Sequence, residues 1–160
     1  MAGDGLTTCL WFDTEGEAAV RFYTSIFKDS KVGRISRYTD AGPGAPGAVM
    51  TVEFELNGQK FLALNGGPGR AFSEAISLVI TCADQAEVDY YWDRLSDGGQ
   101  DVACGWVTDR YGLSWQVVPE MLVGLMSDPD PAKAKRVTEA MFTMKKLDIA
   151  ALQQAYTGAS

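Results

Sequence analysis

The chain is 160 residues long, 46% hydrophobic and 22% charged, the composition of a globular protein able to bury a core without staples. A net charge of −7 argues against nucleic acid as a partner, and the absence of histidine excludes His-based triads, His general bases and imidazole metal ligands. No run of the roughly 18 apolar residues that a membrane helix needs is present, and Met1-Ala2-Gly3-Asp4-Gly5 lacks the blocks of a signal peptide, so the expected address is cytoplasmic, with no membrane contact.

Residues 6–12 mix apolar and β-branched types and predict a strand. Asp13 and Thr14 then offer N-caps, Glu15 and Glu17 suit a first helical turn, and apolar residues recur at helical spacing over 18–27. Residues 31–39 alternate as a strand does, and 40–47 form a Gly- and Pro-rich loop. The strongest hairpin signal is 49–56, the turn Asn57-Gly58, and 60–64. Gly66-Gly67-Pro68-Gly69 reads as a linker.

A second apolar strand begins near Ala75, and Asp84 caps a helix carrying Val88, Tyr91, Trp92 and Leu95, which Asp97-Gly98-Gly99 stops. Short strands at 101–104 and 106–108, a turn at 109–112 and a last strand at 113–118 complete the pattern. Strand, helix and three strands are thus written twice: Ala19, Phe22 and Ile26 reappear at one constant offset as Val88, Tyr91 and Leu95. Beyond Pro119 the pattern becomes helical. Pro131 suits a first helical position, Ala134, Val137, Met141 and Met144 form a stripe, and a last helix from Asp148 carries Ile149, Leu152 and Tyr156; this tail reads as core or dimer contact. The expectation is an α+β fold over 1–160 as a single domain, with units 5–66 and 74–119 and a helical tail 120–160.

Cys9, Cys82 and Cys104 are odd in number and lack metal-type spacing, so reduced, buried thiols are expected. Cys104 has no His to activate it, and Cys9 points away from the face of Thr8 by strand alternation.

The chain resembles the PhnB-like group, whose members are often labelled demethylubiquinone methyltransferase, within the vicinal-oxygen-chelate superfamily of glyoxalases and bleomycin-resistance proteins. The resemblance is carried by Leu10-Trp11-Phe12-Asp13 with Ala18-Ala19 and Phe22-Tyr23, and by Gly112-Leu113-Ser114-Trp115-Gln116-Val117-Val118-Pro119. The tail from Lys135-Arg136-Val137 to Leu147-Asp148-Ile149-Ala150-Ala151-Leu152 adds to it. It implies tandem βαβββ units forming a curved mixed sheet around a cavity, commonly in a homodimer.

Metalloenzymes of that superfamily place a His in the first strand of a unit. Counting back the family's interval from Phe22 and Tyr91 gives Thr8 and Ser77, and the acidic position of the last strand holds Gln116. The first-unit match to Gln116 falls near Ala63 or Asn65. Hydroxyls and amides supply no charge to a divalent metal, so these residues at the positions the resemblance picks out lead to the expectation of no metal and no cofactor. Thr8, Asn65, Ser77 and Gln116 then remain as hydrogen-bonding groups for a small organic ligand, or satisfy one another in a vestigial cavity.

Trp106 and Trp115 are further candidate walls, with Asp109 and Arg110 as an ion pair at the rim; cross-strand aromatics stabilising a hairpin are the plainer reading. The methyl donor is generally held by a Gly-rich turn between strand and helix, and neither glycine cluster lies in that context. The leading expectation is a metal-free protein that binds a small molecule between its units. A glyoxalase- or dioxygenase-like enzyme, a metal-independent isomerase working through Gln116 and a carboxylate, and a drug-sequestering protein are the alternatives.

Overall fold

In the computed structural model, which describes residues 5–158, the chain separates into two compact units, one ending at Ala71 and one beginning at Phe72. The residues read for a leader, Met1 to Asp4, lie outside the described residues.

The first unit runs β1 (Thr8–Phe12), α1 (Gly16–Ile26), β2 (Ser30–Arg37), β3 (Val49–Leu56) and β4 (Gln59–Asn65). Its sheet order is β1-β4-β3-β2, with β1 parallel to β4 and the other pairs antiparallel. The β3–β4 hairpin turns on Asn57 and Gly58, both at positive φ (49° and 79°), as a two-residue type I′ turn requires. Helix α1 turns Ala19, Val20, Tyr23 and Ile26 onto the sheet, a helical stripe that meets the alternating set Val52, Phe54, Phe61 and Ala63. Aromatic stacking fills this layer: the rings of Phe54 and Phe61 lie 5.1 Å apart, and Tyr23 stacks on Phe54.

The second unit repeats the plan with β5 (Ser77–Cys82), α2 (Gln85–Ser96), β6 (Gln100–Asp101), β7 (Trp106–Thr108) and β8 (Ser114–Pro119), in sheet order β5-β8-β7-β6. Asp84 caps α2 by accepting from the backbone N–H of Glu87, whose carboxylate accepts from Ala83 N in return. Val88, Trp92 and Leu95 cover Ile80, Cys82, Val107, Trp115 and Val117. Tyr23 and Trp92 hold matching places in the two helices, and both are buried.

Three helices follow: α3 (Met121–Met126), α4 (Pro131–Phe142) and α5 (Ile149–Thr157), packed around Leu122, Val137, Leu147 and Leu152. Pro131 opens α4 behind an Asp130 cap, and Asp148 caps α5, as the sequence predicts. The segment before α5 is tied to the second unit through backbone bonds from Cys104 N to Met144 O and from Gly105 N to Lys145 O. The side chain of Gln85 donates to Leu147 O and accepts from Ile149 N.

Two expectations are corrected. Asp13 and Thr14 do not cap α1: the residue before it, Glu15, makes no side-chain cap, and Asn65 supplies the acceptor from across the sheet. All three thiols are free, but only Cys82 is buried; Cys9 is exposed and Cys104 half-buried.

Candidate functional site

Each sheet has a face under its helix and an open face. Strand alternation assigns every residue to one or the other, and the register carries the assignment across strands. In the second sheet the helix side holds Leu78, Ile80 and Cys82 with Trp115, Val117 and Pro119. The other side receives Ser77, Val79 and Thr81 from β5, Ser114, Gln116 and Val118 from β8, and Trp106 and Thr108 from β7; Ser114 is buried and Val118 packs against the C-terminal helices, so this face is open only in part. Three of the expected site residues, Ser77, Gln116 and Trp106, therefore share one face. Gln116 Nε2 donates to Ser77 Oγ at 2.9 Å, and Trp106 is the register partner of Gln116.

Trp115 lies on the other side, 2% exposed, and its indole Nε1 donates to Asp109 Oδ2 at 2.8 Å. Asp109 also accepts from the backbone N–H groups of Tyr111 and Leu113, so this buried carboxylate organises the β7–β8 turn. Arg110 forms an ion pair with Asp97 at 2.8 Å.

In the first sheet Thr8 shares the helix side with Leu10 and Phe12, and Asn65 shares it with Phe61 and Ala63. Asn65 is occupied locally: Oδ1 accepts from Gly16 N at 2.7 Å and Nδ2 donates to Val49 O at 3.2 Å. The two units differ in the link between first strand and helix. Asp13, Thr14 and Glu15 separate β1 from α1, whereas only Ala83 and Asp84 separate β5 from α2. The constant offset that holds in the helices thus slips by one in the strands. Phe12 corresponds to Cys82, so Thr7 is the structural counterpart of Ser77, and by register Leu62, rather than Ala63 or Asn65, is the counterpart of Gln116.

Thr7 and Leu62 border a groove of about 530 Å³ on the open face of the first sheet, together with Lys31, Glu53, Glu55 and Lys60. Its carboxylates are paired: Glu55 with Lys31 and Glu53 with Arg34, each at 2.7 Å. Trp11, on the same face, donates from Nε1 to Gly67 O, and the Arg70 guanidinium lies 4.7 Å from its ring centre. A second hollow of about 380 Å³ adjoins the start of α1, between Asp13, Tyr38, Gly44 and Gly66.

The superfamily's metal does not fit these residues. Thr7, Leu62, Ser77 and Gln116 offer two hydroxyls, an alkyl chain and an amide. Among the described residues no three His, Cys, Asp or Glu side chains gather closely enough to hold a metal ion. Partial desolvation by its neighbours holds the largely exposed Cys9 thiol above its ordinary value, and burial pushes Cys82 up to about 12 with help from Glu87 and Asp84, so neither is an activated nucleophile. A methyl-donor nucleotide finds no cradle either: the space a Cβ would fill at Gly66 holds the Trp11 ring, and at Gly42 and Gly44 the Tyr38 ring. Neither glycine cluster opens a helix. No helix among the described residues is long and apolar enough to cross a membrane.

The sequence profile of the 3-demethylubiquinone-9 3-methyltransferase family matches residues 4–118, leaving the C-terminal helices beyond the match. The PhnB protein from Bacillus cereus is similar at 35% identity over 72% of this chain and 98% of its own, with a TM-score of 0.66. A Pseudomonas aeruginosa protein shares the fold at 18% identity over 72% of this chain and 96% of its own, with a TM-score of 0.60. No protein of curated function matches the sequence significantly. The chain belongs to the PhnB-like family that carries the 3-demethylubiquinone-9 3-methyltransferase name.

Proposed function

We propose that this protein binds a small organic molecule on the open sheet face at Gln116, without a metal, and works as a homodimer. The observation that carries the binding site is the Ser77–Gln116 hydrogen bond with Trp106 alongside: a polar pair and an aromatic wall on one sheet face. Among the described residues no side chain on that face ionises, so an isomerase reaction through Gln116 lacks a base on this sheet. Asp109 lies on the helix side with three donors already bound.

The test is side-chain amide and indole NMR during a fragment screen, alongside elemental analysis of protein purified without chelator. Fragments are expected to move the Gln116 amide and Trp106 indole resonances in the wild type but to leave Trp106 unmoved in Gln116→Ala. Stoichiometric, tightly held metal, or a screen in which no fragment moves these resonances, would sink the proposal.

The homodimer is supported by the sheet edges. Strand β2 is guarded by register shifts and by Lys31, Arg34 and Arg37, and β6 by its shortness. Strands β1 and β5 are paired on one edge within their sheets and carry no charge, proline or bulge. Light scattering after gel filtration is expected to give twice the chain mass; a monomer at micromolar concentration removes this part of the proposal.

A further inference from the structure

The open faces of the two sheets have the same backbone frame and opposite chemistry. The first carries Lys31, Arg34, Glu53, Glu55 and Lys60; the second carries no ionisable side chain at all among the described residues. In a chain that is 22% charged, this difference separates what the two faces can hold. A charged ligand laid on the second face would shed water without meeting an opposite charge, which costs several kcal/mol.

The hydrogen-bonding groups present there are neutral and incompletely used. Gln116 spends one N–H on Ser77, which leaves its second N–H, and its Oε1 meets no partner among the described residues. Whichever way the amide is turned, it still offers a donor and an acceptor on one planar group. Trp106, opposite Gln116 in the register and half-buried, makes no hydrogen bond through Nε1 among the described residues and presents an indole to the same side. Val79, opposite Gln116 on the other flank, is 59% exposed.

Resting on the binding function proposed above, we infer that the ligand of this face is an uncharged, planar molecule carrying a hydrogen-bond donor beside an acceptor, as a cyclic amide or imide does. The primary amide of Gln116 pairs with such an edge through two parallel hydrogen bonds, the way a glutamine reads the edge of adenine. The flat ring then lies against Trp106 and Val79, where stacking and apolar contact reward planarity.

The experiment titrates the full-length protein with quinolin-2(1H)-one, its N-methyl derivative, quinoline-2-carboxylate and 2-(aminomethyl)quinoline, following the Gln116 amide and Trp106 indole resonances. The lactam is expected to bind and to move both. N-methylation, which removes the donor but keeps the ring, is expected to weaken binding on the order of tenfold, as is Gln116→Ala, with Ser77→Ala a milder variant in case the first fails to fold. The carboxylate and the ammonium compound are expected not to bind. Equal or tighter binding of either charged compound or of the N-methyl lactam overturns the inference, as does absence of lactam binding. If other fragments in the screen still act at Gln116, only the ligand class is wrong; if none does, the binding function fails with it.

Discussion

Asn65 Oδ1 accepts the backbone N–H of Gly16 at 2.7 Å, so the last residue of β4 caps a helix that its own preceding residues leave uncapped. The contact is so close that a Cβ at Gly16 would stand 2.6 Å from the same oxygen. Asn65→Ala should cost about 1–2 kcal/mol, because it strands the Gly16 N–H and loses the bond to Val49 O. Asn65→Asp keeps the acceptor and should cost less. Urea midpoints of the two variants measure the difference, and equal loss would mean that the cap contributes little.

Asp109 is the second buried polar anchor. Asp109→Ala leaves the N–H groups of Tyr111, Leu113 and Trp115 without their carboxylate, a loss of about 3 kcal/mol. Asp109→Asn should recover part of it through the remaining oxygen. Denaturant unfolding followed by tryptophan fluorescence reads this; a change below 1 kcal/mol would contradict the anchoring role.

The Cys82 thiol makes stability depend on pH at the alkaline end. Its folded pKa is pushed up to about 12, chiefly by burial, from an ordinary 9.0. Between these values the unfolded chain loses the proton while the folded chain keeps it. The contribution is therefore complete below pH 9.0 and declines as pH rises toward 12. Cys82→Ala should flatten the decline in ΔG of unfolding across that window. In the native wild type, Cys82 should resist alkylation at neutral pH while exposed Cys9 reacts.

Gln85 holds the start of α5 as a strand neighbour would, bonding Leu147 O at 3.1 Å and Ile149 N at 2.8 Å. Gln85→Ala should speed hydrogen exchange at the Ile149 amide on the order of tenfold or more, with the β-sheet amides unchanged. The same Gln85 side chain, followed by Lys146, holds the Asp89 carboxyl below its ordinary 3.8. That contribution is present above pH 3.8 and is lost as pH falls, so the Ile149 amide should lose protection on acidification before the sheets do. Uniform loss across the chain would contradict this local clamp.

The hairpin at Asn57-Gly58, the cap at Asp84, the helix start at Pro131 and the repeated order of elements were all legible because each depends on residues adjacent in sequence. The Asn65 cap was not, since donor and acceptor lie 49 residues apart and only the β1–β4 pairing brings them together. Nor was the role of Trp115, whose place in the family motif does not reveal that its indole faces a buried carboxylate. Of the expected site, Ser77, Gln116 and Trp106 share an open face, while Thr8, Asn65 and Trp115 lie beneath the helices.

By itself the sequence determined the kind and order of elements, the duplication and the family. Periods of two and of 3.6 residues, caps and turns are local, and they survive without knowledge of what packs on what. Only the tertiary structure decided which side of each sheet a residue occupies. One extra residue between β1 and α1 reverses the phase of a whole strand relative to its helix, moving Thr8 under α1 and bringing Thr7 into the place that Ser77 holds in the second unit. Counting back from the helix therefore lands on the face away from the helix in the second unit and on the helix side in the first.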